Sequence, residues 1–434
     1  MMLKDNNNII IVDDNPEDIK RLSNIFYSHG IGCRTIECDG FNMLDEPLKG
    51  IKIAFVDMNF SNTGADTAMF ATLCQVLSAT ISQENGPFIL VFWTTHTKDI
   101  ETFKEYVNRD DTYKTLPNPV SIVPLDKSQF ETDAAVNLDE TLNRICSEPI
   151  ANCLFSMGEE LQSAAEECLF NIVSLIKRED SWGDNTAYTE KIRDLFSKIA
   201  IQTAGLENGI KMPDVAIKES LGPVFMYNLL NNDSKVWESF LGLCIEDKEK
   251  YSKCSFAEYA PQLNTYYHID QNVADAETRG VVRLIDCDDE YFKNKIGQTK
   301  ADWVVNVLFK GNNPFSDDYK IVAIEYSAAC DFAQNKNRLR RYIMGVLCSK
   351  NDFVKARKKA KSIGENLCSL DFSFIHDSKE YGIIIDLNSS INEDSKDLFG
   401  ILGNPLFKFK QDVVNKITEQ HANHESRFGY SCFH

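Results

Sequence analysis

Ile9-Ile10-Ile11-Val12-Asp13-Asp14-Asn15-Pro16 is the stretch from which the first third of this chain can be read. Four consecutive apolar, mostly β-branched residues describe a short strand hidden on both faces, as in a parallel sheet. Two carboxylates follow at the strand's end, then Asn15, which suits a helix N-cap, and Pro16, which suits the first helical position. The pattern recurs three times. Ile53-Ala54-Phe55-Val56 runs into Asp57, Ile89-Leu90-Val91-Phe92-Trp93 into Thr94-Thr95, and Val120-Ser121-Ile122-Val123 is followed shortly by Lys127. Ligands of such sheets sit beyond the C-terminal ends of the strands. The sequence therefore sets carboxylates, a hydroxyl and an ammonium along one edge of one sheet.

The connecting segments read as helices. Ile19, Leu22, Ile25 and Phe26 fall at helical spacing, with acids in the first turn to complement the helix dipole, and Gly30 punctuates the end. A second short strand is expected around Cys33 to Glu37. Segment 58–86 is long enough for a helix whose apolar side holds Ala68, Phe70, Leu73, Val76, Leu77 and Ile81; another is expected over 98–107. Strands alternating with helices give an α/β fold, a doubly wound parallel sheet of five strands.

These motifs, in this order, resemble the receiver domain of bacterial response regulators over about the first 130 residues. The resemblance implies that Asp57 is the phospho-acceptor, that Asp13 and Asp14 hold Mg²⁺, and that Asn59 adds its backbone carbonyl to the metal. It implies that the Thr94 hydroxyl reports the phosphoryl group, that Lys127 pairs with it, and that a sensor histidine kinase is the donor. Asn59 and His96 stand where the family tunes the lifetime of the phosphate. The chemistry agrees: clustered carboxylates are stable together only beside a cation, and Mg²⁺ prefers oxygen ligands. Departures are also plain. Ser128 follows Lys127 where proline is usual, Thr95 replaces a small residue, and Pro124 stands where an aromatic switch residue is expected. The spacing from Asp57 to Thr94 is longer than usual, which points to an insertion within 58–86. The acceptor chemistry is nearly complete and the output route altered, so a pseudo-receiver that docks partners without turning over phosphate stays open beside it.

The sequence suggests three regions: a receiver-like domain at 1–132, a helical linker or dimerisation region at 133–250, and an α+β output domain at 251–434. In the middle region Leu154, Met157, Leu161, Ala164, Ala165, Cys168, Leu169, Ile172 and Leu175 form a stripe that suits a core or a helix-helix seam, and hence a homodimer. Trp182-Gly183-Asp184-Asn185 marks a loop. Later, strands are expected at Val281–Ile285, Trp303–Leu308, Tyr319–Glu325, Phe372–Ile375 and Gly382–Leu387, with a closing helix from about Gln411. The Cys330-Asp331 turn and the terminal His424, Arg427 and Gly429 resemble features of domains joined to receivers in bacterial anti-phage and other conflict systems. Cys330, Asp331, His421 and His424 would make a nucleophile or metal site only if the fold gathered them, which leaves a receiver-regulated effector enzyme as a further alternative.

Bulk properties narrow the field. The chain has 434 residues and a formal net charge of -19, which repels phosphate and makes nucleic acid an unlikely general partner. One segment opposes that charge: Lys336, Arg338, Arg340, Arg341, Lys350, Lys355, Arg357, Lys358, Lys359 and Lys361, read as a solvated helical face or a docking patch. Thirteen unpatterned cysteines suggest reduced thiols and a cytoplasmic setting. The N-terminus lacks a signal-peptide profile, and no apolar run nears the roughly 20 residues of a membrane span.

Overall fold

The computed structural model describes residues 8–38, 44–60, 66–95, 97–109, 111–130, 140, 142, 149–177, 186–231, 236–241, 258–273, 278–311, 313–316, 319–328, 340–363, 366–393 and 400–426. The loop expected at 182–185 lies outside them. The chain divides into two compact units: Met1–Leu175 with Pro223–Ile245, and Ile176–Gly222 with Glu246–His434.

The first unit is built on five parallel strands, β1 (Ile9–Asp13), β2 (Arg34–Glu37), β3 (Ile53–Val56), β4 (Ile89–Trp93) and β5 (Ser121–Leu125), in the order β2-β1-β3-β4-β5. Their apolar runs are continuous because both faces are covered. Ile10, Val12, Ala54, Val56, Leu90 and Phe92 pack beneath helices α2 (Asp66–Thr80) and α3 (Asp99–Arg109). Ile11, Phe55, Val91 and Trp93 pack beneath α1 (Pro16–Ser28), which supplies Ile19, Leu22, Ile25 and Phe26. Asn15 caps α1 by accepting from Glu17 N at 3.1 Å, and Pro16 opens it, as expected.

Two local expectations are corrected here. Ala68 is exposed, and Met69 and Cys74 join Phe70, Leu73, Val76 and Leu77 in the core instead. The alternation of strand and helix also lapses once: among the described residues no helix joins β2 to β3. Instead Leu48 forms a parallel bridge with Ile81, just past the end of α2.

Helix α4 (Pro149–Val173) carries most of the apolar stripe read from the sequence, but only Ala164 and Cys168 of that stripe are buried; Leu169 and Leu175 are exposed. Further helices are α5 (Thr186–Ala204), α6 (Leu206–Lys211), α7 (Pro213–Leu230) and α8 (Val236–Leu241). No helix among the described residues is long and apolar enough to cross a membrane.

The second unit contains an eight-stranded antiparallel sheet: β6 (Ile269–Asp270), β7 (Val281–Ile285), β8 (Lys320–Glu325), β9 (Arg340–Ser349), β10 (Leu367–Ser369), β11 (Phe374–His376), β12 (Lys379–Glu393) and β13 (Leu402–Phe409). The order is β10-β12-β9-β8-β7-β13-β6, with β11 paired to β12. Helices α9 (Ala260–His268), α10 (Asp289–Ile296), α11 (Lys350–Ile363) and α12 (Gln411–Glu425) accompany it. Phe292 of α10 and Phe353 and Ala356 of α11 fill the core on one face, Val413, Val414 and Ile417 of α12 that on the other.

The strand expected at Trp303–Leu308 is a π-helical turn instead. Thr299 caps the preceding turn by accepting from Asp302 N at 3.1 Å, and Trp303, Val304 and Leu308 are the buried positions, a helical rather than alternating pattern. An apolar run alone does not separate a buried strand from a buried helix. The basic segment is likewise divided: Arg340 and Arg341 lie on β9, while Lys350, Lys355, Arg357, Lys358 and Lys359 lie on α11. Acids meet several of them: Lys350 pairs with Glu380 at 2.9 Å, Lys355 with Asp352 at 3.2 Å and Arg357 with Asp371 at 2.6 Å. Lys336 and Arg338 lie outside the described residues.

Helix α11 approaches the sheet through one glycine. A Cβ at Gly382 would stand 2.1 Å from the Phe353 ring, so β12 offers that ring a bare backbone. Gly382→Ala is therefore expected to destabilise the second unit by about 1–3 kcal/mol in denaturant melts, the range for overpacking. Phe353→Leu added to it should recover part of the loss. Equal losses in the single and double variants would show that the ring and the glycine do not meet.

Candidate metal and ion-pair site

Side chains alternate along a strand, and the alternation carries past the strand ends. Asp13 continues the row of Ile9 and Ile11, Asp57 that of Ile53 and Phe55, and Lys127 that of Val123 and Leu125. All three rows face α1. This parity, rather than any sequence proximity, delivers two carboxylates and one ammonium to the same point above the sheet edge.

There they meet. Lys127 Nζ lies 2.7 Å from Asp13 Oδ2, 3.1 Å from Asp57 Oδ2 and 3.1 Å from Asp18 Oδ2. Asp13 is wholly buried, and Asp57 and Lys127 nearly so. The backbone holds the carboxylates in place: Asn15 N donates to Asp13 Oδ1 at 2.9 Å, and Met58 N to Asp57 Oδ1 at 2.7 Å. Asp14 completes an acidic triad; Asp13, Asp14 and Asp57 each offer an oxygen within 4.8 Å of the others. Thr94 is fully buried at the end of β4, and its N–H donates to Leu125 O at 3.0 Å, so β5 locks the turn that carries it.

Asp18 is the member that sequence reasoning did not assign to the site. It sits in the first turn of α1, where an acid is sufficiently explained by the helix dipole. Yet α1 begins three residues past Asp13, so its first turn overhangs the strand end, and that short connection was the available signal. Asn15 Nδ2 donates to Asp18 Oδ2 at 3.2 Å, and Arg21 pairs with Oδ1.

Burial and ion pairing compete here. Burial is the stronger for Asp13, whose carboxyl is pushed up to about 6 despite Lys127, and the charge of Asp57 adds to the rise. Asp57 is raised for the same first reason, against Lys127 and backbone donors at Met58 and Asn59. At Asp18 burial is outweighed by Lys127 and Arg21, and the carboxyl is held below its ordinary value. Burial also opposes the Lys127 charge, but Asp57 and Asp13 outweigh it and raise the ammonium above its usual range.

One lysine thus leaves two carboxylates short of positive charge. The triad can hold a metal ion, which would supply the remainder. A further oxygen agrees with this: Asn59 Oδ1, two residues past Asp57, is buried without a hydrogen-bond partner. Ser128 follows Lys127 through a trans bond, and its N–H and hydroxyl both reach Asp126 Oδ1, at 2.9 and 2.7 Å. His96 lies outside the described residues.

Of the C-terminal candidates, His421 and His424 are among the described residues, and each has a partner of its own. His421 is buried on α12 with its Nδ1 3.7 Å from Glu425 Oε2 and its ring 5.0 Å from that of Tyr326. His424 Nε2 sits 2.7 Å from Asn388 Oδ1. Cys330, Asp331, Arg427 and Gly429 lie outside the described residues.

No protein-family model matches the chain, and no curated protein matches it.

An acid raised by folding binds its proton more tightly in the folded state, so it favours folding at low pH and loses that contribution as pH rises through its folded value. Asp13 sets the window from about 4 to about 6. Asp18, being lowered, acts in the opposite sense but below that window. Thermal melts in chelator should therefore show the first unit losing stability as pH climbs through this range, with Asp13→Asn flattening the loss and a divalent cation reversing it. A profile that is unchanged in Asp13→Asn would remove this carboxyl as its source.

Proposed function

We propose that the first unit is a receiver-type phospho-acceptor, a signalling module that takes a phosphoryl group on Asp57 from a phosphohistidine of a sensor kinase. The observation that carries the reading is the contact of Lys127 with both Asp57 and Asp13 at the ends of three strands of one parallel sheet. The strand order 2-1-3-4-5 supports it, being that of flavodoxin-like doubly wound folds. In this reading an Asp57 oxygen attacks phosphorus, the O–P bond forms as the N–P bond breaks, and the imidazole leaves. Lys127, already within reach of Asp57, pairs with the arriving phosphoryl oxygens, and the Thr94 hydroxyl turns toward them. Mg²⁺ held by Asp13, Asp14, Asp57 and Asn59 would supply further neutralising charge.

The new dianionic group competes with Asp13 and Asp18 for Lys127, and that competition is the physical signal. It would be read by the helical segment, by a second copy of the chain, or by a partner in a downstream pathway such as anti-phage defence. A second reading is favoured by the same lysine. Lys127 is held by three carboxylates at once, an arrangement already stable as a fixed ion-pair hub, which suits a pseudo-receiver that only docks partners.

Incubation of the full chain with Mg²⁺ and acetyl phosphate, followed by intact mass, separates the two. The receiver reading expects the gain of one phosphoryl group, lost in Asp57→Asn and in chelator, and strongly slowed in Lys127→Ala. No gain in the folded native chain, from acetyl phosphate or from a phosphorylated kinase, would leave the docking reading in its place.

A further inference from the structure

We infer that Arg283, Glu325 and Tyr342 form a buried receptor for a small zwitterion, a molecule that presents an anionic oxygen beside a protonated nitrogen. The site lies in the second unit and is independent of the phospho-acceptor reading. Strands β7, β8 and β9 are neighbours in which Arg283 stands opposite Ala323 and Glu325 opposite Tyr342. Alternation sends all three side chains to the face of Ile285, Ala323 and Met344. They are deeply buried: Arg283 is 9% exposed, Tyr342 2% and Glu325 0%.

Two charged groups on this face each leave a buried polar atom without a hydrogen-bond partner, while the charges of Arg279 and Arg340 also act on Glu325. Arg283 Nε is buried with no hydrogen-bond partner, and among the described residues no carboxylate pairs with its guanidinium. Glu325 Oε1 accepts from Ser327 N at 3.1 Å, but Oε2 is buried with no partner. The contrast with Arg279 is direct. That arginine, equally buried, donates to Ser327 O at 2.7 Å and Asn415 Oδ1 at 2.9 Å and also reaches Gln411. Arg279 is saturated, and Arg283 is not.

Arg283 and Glu325 are diagonal cross-strand neighbours, roughly 7–8 Å apart along the sheet and within reach of each other for long side chains. They nevertheless leave each other unpaired. On the same face Ala323, opposite Arg283 and two residues before Glu325, contributes only a methyl group. Tyr342 stands opposite Glu325, and the charges of Glu325, Arg340 and Arg283 all act on its hydroxyl.

The chemistry of the occupant follows from the pair. A simple anion would satisfy Arg283 and be repelled by Glu325, and a simple cation the reverse. A carboxylate or phosphate oxygen meets the guanidinium fork, and an adjacent ammonium meets Glu325 Oε2. A free α-amino acid and an aminoalkyl phosphate share this chemistry. Arg283 is the most exposed of the three groups.

The test uses the full chain and two sets of probes, each free protein amino acid in turn and phosphoethanolamine, read by thermal melts and titration calorimetry. At least one probe is expected to raise the melting temperature, and which set responds identifies the source. The shift should vanish in Arg283→Met and affinity should fall about tenfold or more in Glu325→Gln. Ligand-free Arg283→Met should melt at or above the native temperature, since it removes an unpartnered buried charge. Arg283→Lys, which keeps the charge but loses the fork, carries the same binding test if the Met variant does not fold. Absence of a shift with every probe, an unaltered shift in the Arg283 variants, or a lower ligand-free melting temperature in both of them would overturn the proposal.

Discussion

A single ammonium group organises the first unit. Lys127 sits among Asp13, Asp18 and Asp57, and without it three carboxylates would share a space from which water is largely excluded. Breaking a buried ion pair by removing one partner typically costs about 3–5 kcal/mol, because the charge left behind stays buried. That figure is a large share of the stability of an ordinary domain. The strand ends are thus held together electrostatically as well as by the apolar rows beneath them. The same arrangement leaves the site sensitive to any added charge.

The two units treat buried charge differently. In the first, charges are gathered and matched against one cation, with a remainder that suits a metal. In the second, Arg279 is fully engaged where it ties the first turns of α12 to the turn after β8. Arg283 and Glu325, on neighbouring strands of one sheet, each keep a buried polar atom unmet.

Much of the first unit was legible in the sequence, for a definite reason. Strands covered on both faces must be apolar throughout, so Ile9–Val12, Ile53–Val56 and Ile89–Trp93 announce themselves, and their polar termini mark the edge where the charged side chains gather. Asp13, Asp57 and Lys127 fall where that reasoning places them. Asp18 was missed because its local role as a first-turn acid was a sufficient explanation. The second unit was harder. Trp303–Leu308 is equally apolar as a strand or as a buried helical turn, and only the cap at Thr299 and the spacing of buried positions distinguish the two. Strand β9 was hidden by its arginines, which are charged at one end of a run, Tyr342 to Cys348, that is buried throughout.

The separation between Lys127 and its partners has a consequence for how the chain comes to be folded. Asp13 and Lys127 are 114 residues apart in sequence, and Asp18 and Lys127 109. Contacts of such long range are reached late, after the loop entropy between them has been overcome. During synthesis β1, β3 and their carboxylates emerge well before β5 does. Until Lys127 leaves the ribosome, the nascent sheet carries its acids without their counterion and is held only by its apolar rows. The last strand of the sheet is therefore also its electrostatic latch, and a chain halted before residue 127 has a core but no stable edge.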